Sequence, residues 1–557
     1  DRKYLDDLER GEYNAYAGGL LFNALLEKYN YFTTIKRVIA PPEENEYALK
    51  QLCLTLFHYD IFGFSSIRNY GYAYSEEFGL LTGRSQSPCR QTIQKFLSGI
   101  KQQKKGEALM EEFGKGYLRT GLVQWGGLYI DSHFQPYYGI AAIPMGYHGV
   151  LQKPLKGNYN FISVDEKFNP WLFLIRSADE DLLQIIPELI TRAKKLAKEA
   201  DLSDDKIKDL VVIFDREGFS AELFRELSDK EDQTKELGTE AVKFISWAKN
   251  VDKYLQELSE EKFTNEVEIK YEIQRPEKIK YFEITDGRTM KKYGTIRALV
   301  IQSGSKNQRA MIYTNDTKRK AEEIIQLMCR RWGEENLIKA LKLDHYLDYY
   351  PGKGLLEAEE LTDPYMVDNP AVLELKKDKA SLTAKLNEFK IKFADEVLEE
   401  DKKKKSAEKK VQDLKLNLRA DIVGKESQIT LLKQKISELP AEVRYEETHN
   451  GAKLFILDYE KKRFLDCIKI FGYHMQKQMI SLLSGYYKNP KDIHSVLEMI
   501  VQRGAYVRLM NGVMVIRLKR FMNKEVDFAA RHLCEEVNNL KPKTLDKYCF
   551  PIHFEVE

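Results

Sequence analysis

The sequence predicts a mixed α+β fold with a strand-rich core between helical flanks, and three observations carry that expectation. Aromatic and β-branched runs crowd residues 122–176, a strand–helix–strand alternation follows to about 246, and apolar residues at heptad spacing mark a charged stretch at 371–439. The 557 residues are too many for one ordinary domain, and 43% hydrophobic side chains supply material for several cores. The expected boundaries are a helical region at 1–120 and a core in two parts, 121–260 and 317–365. A β-rich insertion at 261–316 separates those parts, and a charged helical hairpin at 366–440 and an α+β region at 441–557 follow.

Bulk composition excludes more than it selects. The 88 Lys and Arg residues nearly balance 86 Asp and Glu, leaving a formal charge of +2, so only the distribution of charge can argue for a nucleic-acid partner. The six cysteines form no C-x-x-C pair, which argues against a zinc ribbon or a disulfide framework and predicts a reducing, cytoplasmic setting. No signal peptide is visible, and no run approaches eighteen uninterrupted apolar residues, so no membrane partner is expected.

The N-terminal elements read as helices. Leu49, Leu52, Leu56 and Tyr59 recur at helical spacing, and Ser75–Gly83 reads as a short helix closed by glycine. Ser87 as cap with Pro88 at the first position predicts a second helix through Leu97. The pair suggests a helix-turn-helix in which Arg90, Gln91, Gln94 and Lys95 face a DNA major groove. The alternative is an ordinary pair of helices with solvated polar side chains.

Strands are expected at 127–139, 160–164 and 171–175, a helix from about 179 to 200, a strand at 210–214, a helix at 220–227 and a strand at 241–246. Further strands are expected at 280–284 and 297–301, then one long helix from about Lys318 through Glu335 to about Leu343. Leu382, Leu386, Phe389 and Phe393, with Ile429, Leu432, Ile436 and Leu439, predict the facing seams of an antiparallel hairpin. Its solvated turn is expected near Asp401–Lys405. After Pro440, helices are expected near 460–485 and 491–503, with a strand pair at 506–509 and 513–518.

Three acids stand out by their settings. Asp131 is a single acid inside an aromatic-rich strand, where aspartate is disfavoured and burial of its charge is costly unless something binds it. Asp215 follows Val211–Phe214 at the carboxyl end of an apolar strand, where open sheets place their sites; a strand-end aspartate also serves simply as a turn former. Two such carboxylates on neighbouring strands repel unless a cation intervenes, and oxygen-only donors suit Mg²⁺ or Mn²⁺. On a continuous helix Arg331, Glu335 and Lys342 share one face, with Met328, Trp332 and Leu341 packing inward and Glu334 turned about 100° away. Ion pairing on a solvated face is the plain alternative, and Glu335 with Lys339 has the favourable order for it. His133 shares Asp131's side of the strand and is expected to pack among neighbouring tyrosines, with DNA contact as the alternative.

The segment Arg331-Trp-Gly-Glu-Glu335, with Lys342, resembles the Y-x2-R-x3-E-x6-K signature of bacterial insertion-sequence DDE transposases; Met328 stands where the signature has tyrosine. Phe214–Phe219 is similar to the second-aspartate motif of that group and Tyr129–Asp131 to the first, and the 261–316 strands lie where its β insertion falls. The resemblance covers about residues 120–350. It implies an RNase H-like core in which Asp131, Asp215 and Glu335 are catalytic and hold two Mg²⁺ (or Mn²⁺) ions. It further implies that Arg331 and Lys342 touch DNA phosphates, that transposon-end and target DNA are the partners, and that a homodimer acts in a bacterial or archaeal cell. The alternative is a domesticated RNase H-like DNA-binding protein, or a nuclease without transposition activity.

Overall fold

Val211–Phe214 is a run of four apolar residues with no polar face, and it lies fully buried in the middle of a large sheet. The structure is a computed structural model that describes residues 2–42, 46–71, 75–149, 151–228, 241–271, 276–303, 308–352, 354–357, 366–400, 408–448 and 453–557. The chain divides into two units, one of residues 1–137, 145–354 and 458–557, the other of 138–144 and 355–457.

The first unit is built on an eleven-stranded mixed sheet. In chain order its strands are β1 (Gly127–Pro136), β2 (Met145–His148), β3 (Lys153–Val164), β4 (Pro170–Ser177), β5 (Val211–Phe214) and β6 (Lys243–Trp247). They continue as β7 (Asn265–Ile269), β8 (Glu277–Glu283), β9 (Arg288–Met290), β10 (Gly294–Ser303) and β11 (Arg309–Thr314). The spatial order is β2-β3-β1-β5-β6-β11-β10-β8-β7, with β4 beside β3 and β9 beside β10. Neighbours β1 and β5, and β5 and β6, run parallel, whereas β3 is antiparallel to β1 and β4. Strands β7–β11 therefore extend the same sheet, joined to it where β11 pairs antiparallel with β6.

The principal helices of this unit are α1 (Leu49–Ile61), α2 (Arg90–Gln103), α3 (Gly106–Thr120), α4 (Leu182–Glu199), α5 (Ala321–Arg330), α6 (Trp332–Leu343) and α7 (Glu460–Leu483). Helix α4 makes the crossover between β4 and β5, and it opens with Asp181 and Gln184 bonding each other's backbone N–H. Helix α7 packs against α1, α2 and α3. The ring of Phe471 lies 4.8 Å from Tyr31 and 5.4 Å from Phe113, so N-terminal and C-terminal segments share one aromatic core. A smaller sheet pairs Glu12–Asn14, Ala505–Met510, Val513–Leu518 and Ile552–Val556. Its hairpin turns through Asn511 and Gly512, whose φ values of 52° and 78° suit a tight two-residue connection.

Two expectations about the N-terminal region and the long helix need correction. Helix α2 starts at Arg90 with Cys89 at the cap, not at Pro88 with Ser87. The Ser87 hydroxyl instead accepts from the buried Tyr70 hydroxyl at 2.7 Å, so it is committed to packing rather than to the helix end. The helix foreseen from Lys318 to Leu343 is two helices, α5 and α6, meeting at Arg331.

In the second unit, helices Pro370–Glu400 and Glu408–Glu438 form the hairpin. Leu386 and Ile429 are buried, and Lys390 bonds Glu426 at 2.8 Å, a pairing that runs antiparallel. Leu439 is 38% exposed, so the seam does not reach it. The Phe393 side chain and the turn at Asp401–Lys405 lie outside the described residues. At the base, strand Met366–Asp368 pairs with Glu442–Arg444. Among the described residues no helix is long and apolar enough to cross a membrane.

Candidate active site

Strand register makes neighbours of the two aspartates. Ile130 pairs with Phe214 across parallel β1 and β5, so Asp131 and Asp215, each one residue further on, stand side by side where β5 ends. Asp215 opens a short turn, its carboxylate accepting the Arg216 N–H at 2.7 Å; Asp131 accepts the Ser132 N–H at 2.8 Å. Burial pushes the Asp131 carboxyl up to about 6 against the opposing pull of Arg331.

The third acid is delivered by a break in the helix. Arg331 donates its N–H to Met328 O at 3.3 Å, and Glu334 donates to Arg331 O at 2.9 Å, both one residue tighter than an α-helix. At this turn Phe168 packs against the start of α6. Phe168 has φ 54°, a left-handed backbone costly for an aromatic residue, and it is held there by Asp165, which accepts from the N–H groups of Gln124, Lys167 and Asn169. Its ring packs so tightly on Gly333 that an added Cβ would lie 2.3 Å from it.

Around that break the guanidinium of Arg331, only 6% exposed, gathers all three expected acids. It lies 3.5 Å from Asp131 Oδ2, 3.6 Å from Asp215 Oδ2 and 2.8 Å from Glu335 Oε1. Among the described residues no three His, Cys, Asp or Glu side chains approach closely enough to hold a metal ion as they stand, because the acids surround Arg331 rather than one another. The donor set still fits a divalent cation. It is oxygen only, and one of its members is a buried aspartate whose ionised form needs positive charge.

Two orientations expected on this helix are overturned. Trp332 is 62% exposed instead of packing inward. Glu334, expected on the far side, is fully buried, with neither carboxylate oxygen hydrogen-bonded, and burial followed by Asp131 pushes its carboxyl well above the usual range. Met328 and Leu341 are buried as expected.

Beside the acids opens a cleft of about 830 Å³ lined by Ser132, His133, Glu217, Lys249, Lys342 and Asp348, among others. Lys342 lies there, its Nζ 3.2 Å from Asp348 Oδ2. His133, expected to pack among tyrosines, has its Nε2 2.8 Å from Asp348 Oδ1. Burial opposes ionisation of Asp348, but His133 and Lys342 hold its carboxyl below the usual range. Glu334 was weighed as the rival to Glu335 and set aside, although its i, i+3, i+4, i+7 spacing with Leu337, Ile338 and Leu341 marks it as a residue of the buried face. Asp348 was passed over, and nothing in the spacing pointed to it. Arg90, Gln91, Gln94 and Lys95 all lie exposed on α2, and Gln94 also lines a separate cavity of about 670 Å³ with Arg68, Ser98 and Lys461.

No curated protein matches the chain. Among solved structures it is similar to a piggyBac transposase, seen as a synaptic complex with hairpin DNA, at 10% identity and a TM-score of 0.29 over 60% of this chain and 69% of that one. A family profile described as "Transposase protein" matches residues 13–546, which take in every candidate residue above, and the chain belongs to that transposase family.

Proposed function

We propose that this transposase is of the DDE type, in the bacterial insertion-sequence group with the Y-x2-R-x3-E-x6-K signature, and that it cuts and joins DNA by a cut-and-paste route. The observation that carries the reading is the gathering of Asp131, Asp215 and Glu335 within 3.6 Å of one guanidinium. Residues so far apart in sequence meet around one guanidinium, whose single positive charge falls short of balancing three ionised carboxylates. The order β4-β3-β1-β5-β6, antiparallel over the first three strands and parallel over the last three, supports an RNase H-like core.

In this reading Asp131, Asp215 and Glu335 hold two Mg²⁺ (or Mn²⁺) ions. Bound cations supply an activated hydroxyl and neutralise the departing oxygen in an in-line displacement at phosphorus. The chain's own part is to position. Lys342 and His133, at the mouth of the cleft, take phosphate oxygens of the strand being cut, while Arg331 balances the acids and contacts phosphate when it leaves them. Arg90, Gln91, Gln94 and Lys95 offer an exposed basic and amide face to transposon-end DNA, and target DNA is the second substrate. Joining two ends calls for two active sites, hence a homodimer.

The test is strand cleavage of end-sequence DNA by the purified chain with Mg²⁺ or Mn²⁺. Asp131→Asn and Asp215→Asn should each abolish cleavage while leaving DNA binding in place, and full cleavage by either variant overturns the reading. Arg90→Ala with Lys95→Ala should weaken end binding and flatten its salt dependence; unchanged affinity moves end recognition elsewhere on the chain.

A further inference from the structure

We propose that Glu334 is a ligand of the same divalent cation as Asp131, so that helix α6 offers the metal centre two consecutive carboxylates. The inference rests on the metal-dependent reading above and deepens it.

Glu334 is set apart by what it lacks. It is 0% exposed, and both of its carboxylate oxygens are buried without a hydrogen-bond partner. Other buried acids of this unit are answered. Asp466 meets Lys462 at 2.7 Å, Asp60 meets His345 at 2.7 Å, and Asp165 accepts three backbone N–H groups and the Asn169 amide. A buried carboxylate left without any partner costs several kcal/mol, and natural folds keep few of them.

The surroundings say what would answer it. The charged groups that act on Glu334 are Asp131, Arg331, Glu335 and Asp215, so its carboxylate belongs to the acid cluster and not to some separate structural pair. Arg331 is already shared among three other acids, and its Nε is itself without a partner. Adding a fourth acid to one guanidinium leaves an excess of negative charge that either a proton on Glu334 or a further cation offsets. A buried site with only carboxylate oxygens selects a hard divalent ion. Glu335, by contrast, has a side chain 47% exposed and an existing bond to Arg331, so it reaches the centre from the solvent side. Both glutamates stand one turn beyond Arg331, at i+3 and i+4, with Glu334 on the buried face beside Leu337, Ile338 and Leu341 and Glu335 about 100° around toward solvent.

Mn²⁺ binding to the full-length protein without DNA tests this, read by calorimetry and by the Mn²⁺-induced rise in Tm. Glu334→Gln preserves shape and removes the charge. It should weaken Mn²⁺ binding at least about tenfold, as Asp131→Asn does, while raising Tm in metal-free buffer. Glu334→Met, similar in size and fully apolar, should behave the same way and serves if the glutamine variant folds poorly. Wild-type Mn²⁺ affinity in a folded Glu334 variant, alongside lost affinity in Asp131→Asn, makes Glu334 a buried spacer and overturns the inference while the metal centre stands. Wild-type affinity in both Asp131→Asn and Asp215→Asn removes the metal-dependent reading itself, and the inference with it.

Discussion

His133 and Asp348 meet at 2.8 Å, Nε2 to Oδ1, and the other carboxylate oxygen of Asp348 holds Lys342 at 3.2 Å. One acid thus fixes two side chains that line the cleft. Asp348→Ala should leave the fold intact and loosen both. Cleavage of end DNA should fall about tenfold or more, mainly through kcat, because misplaced positioning groups act on the oriented complex. Single-turnover rates check this, and an unchanged rate would show that the pair serves only as a surface link.

Gly333, in the first turn of α6, lies against Phe168. Gly333→Ala puts a methyl group 2.3 Å from the Phe168 ring, which is itself only 9% exposed and braced by the Asp165 turn. The expected cost is about 1–3 kcal/mol of stability, as for other overpacked sites. Cleavage should fall by more than stability alone explains, because Glu334 and Glu335 are the next two residues. Denaturant midpoints and cleavage rates measured on the same preparation separate the two effects.

Glu107, at the start of α3, ties four elements together. Its carboxylate meets Arg176 of β4 at 2.7 Å, Arg192 of α4 at 2.7 Å and Arg463 of α7 at 2.9 Å. Burial works to raise its carboxyl, but the three arginines outweigh it and hold the group at about 2. A depressed carboxyl stabilises the fold above its unfolded value near 4.5, and that contribution fades as pH falls toward 2. Glu107→Gln should therefore cost about 2 kcal/mol at neutral pH, with the gap to wild type closing between about pH 4.5 and 2. Thermal melts across that range test the sign as well as the size.

The charged hairpin leaves and re-enters its unit at one place. Asn369 donates its N–H to Ala441 O at 2.9 Å and its side-chain amide to Pro440 O at 3.0 Å. Replacing residues 371–438 with a short Gly/Ser linker should leave the Tm of the first unit unchanged and cleavage intact. A cleavage-dead but folded product would make the hairpin part of the working machinery, and sedimentation of both forms shows whether it joins two copies.

Much of the architecture was legible because its causes are local. Alternation and apolar runs mark β1, β3, β4 and β5, heptad spacing marks the hairpin, and Asp215 is recognisable as the acid that ends a buried strand. These patterns depend on neighbours one to four residues away, which the linear sequence contains. The proximity of Asp131 to Asp215, by contrast, rests on a parallel register between strands about eighty residues apart. The close packing of Phe168 on Gly333, beside Glu334, is a contact across 165 residues. The reading that set Arg331, Glu335 and Lys342 on one face turned Glu334 away and Trp332 inward, whereas the fold buries Glu334 at i, i+3, i+4, i+7 spacing with Leu337, Ile338 and Leu341 and leaves Trp332 exposed. The sequence by itself determined most of the elements that form and, through the profile it matches, the transposase family. Only the tertiary structure decided which side chains share a site, because a side chain's surroundings are set by distant segments that packing brings together.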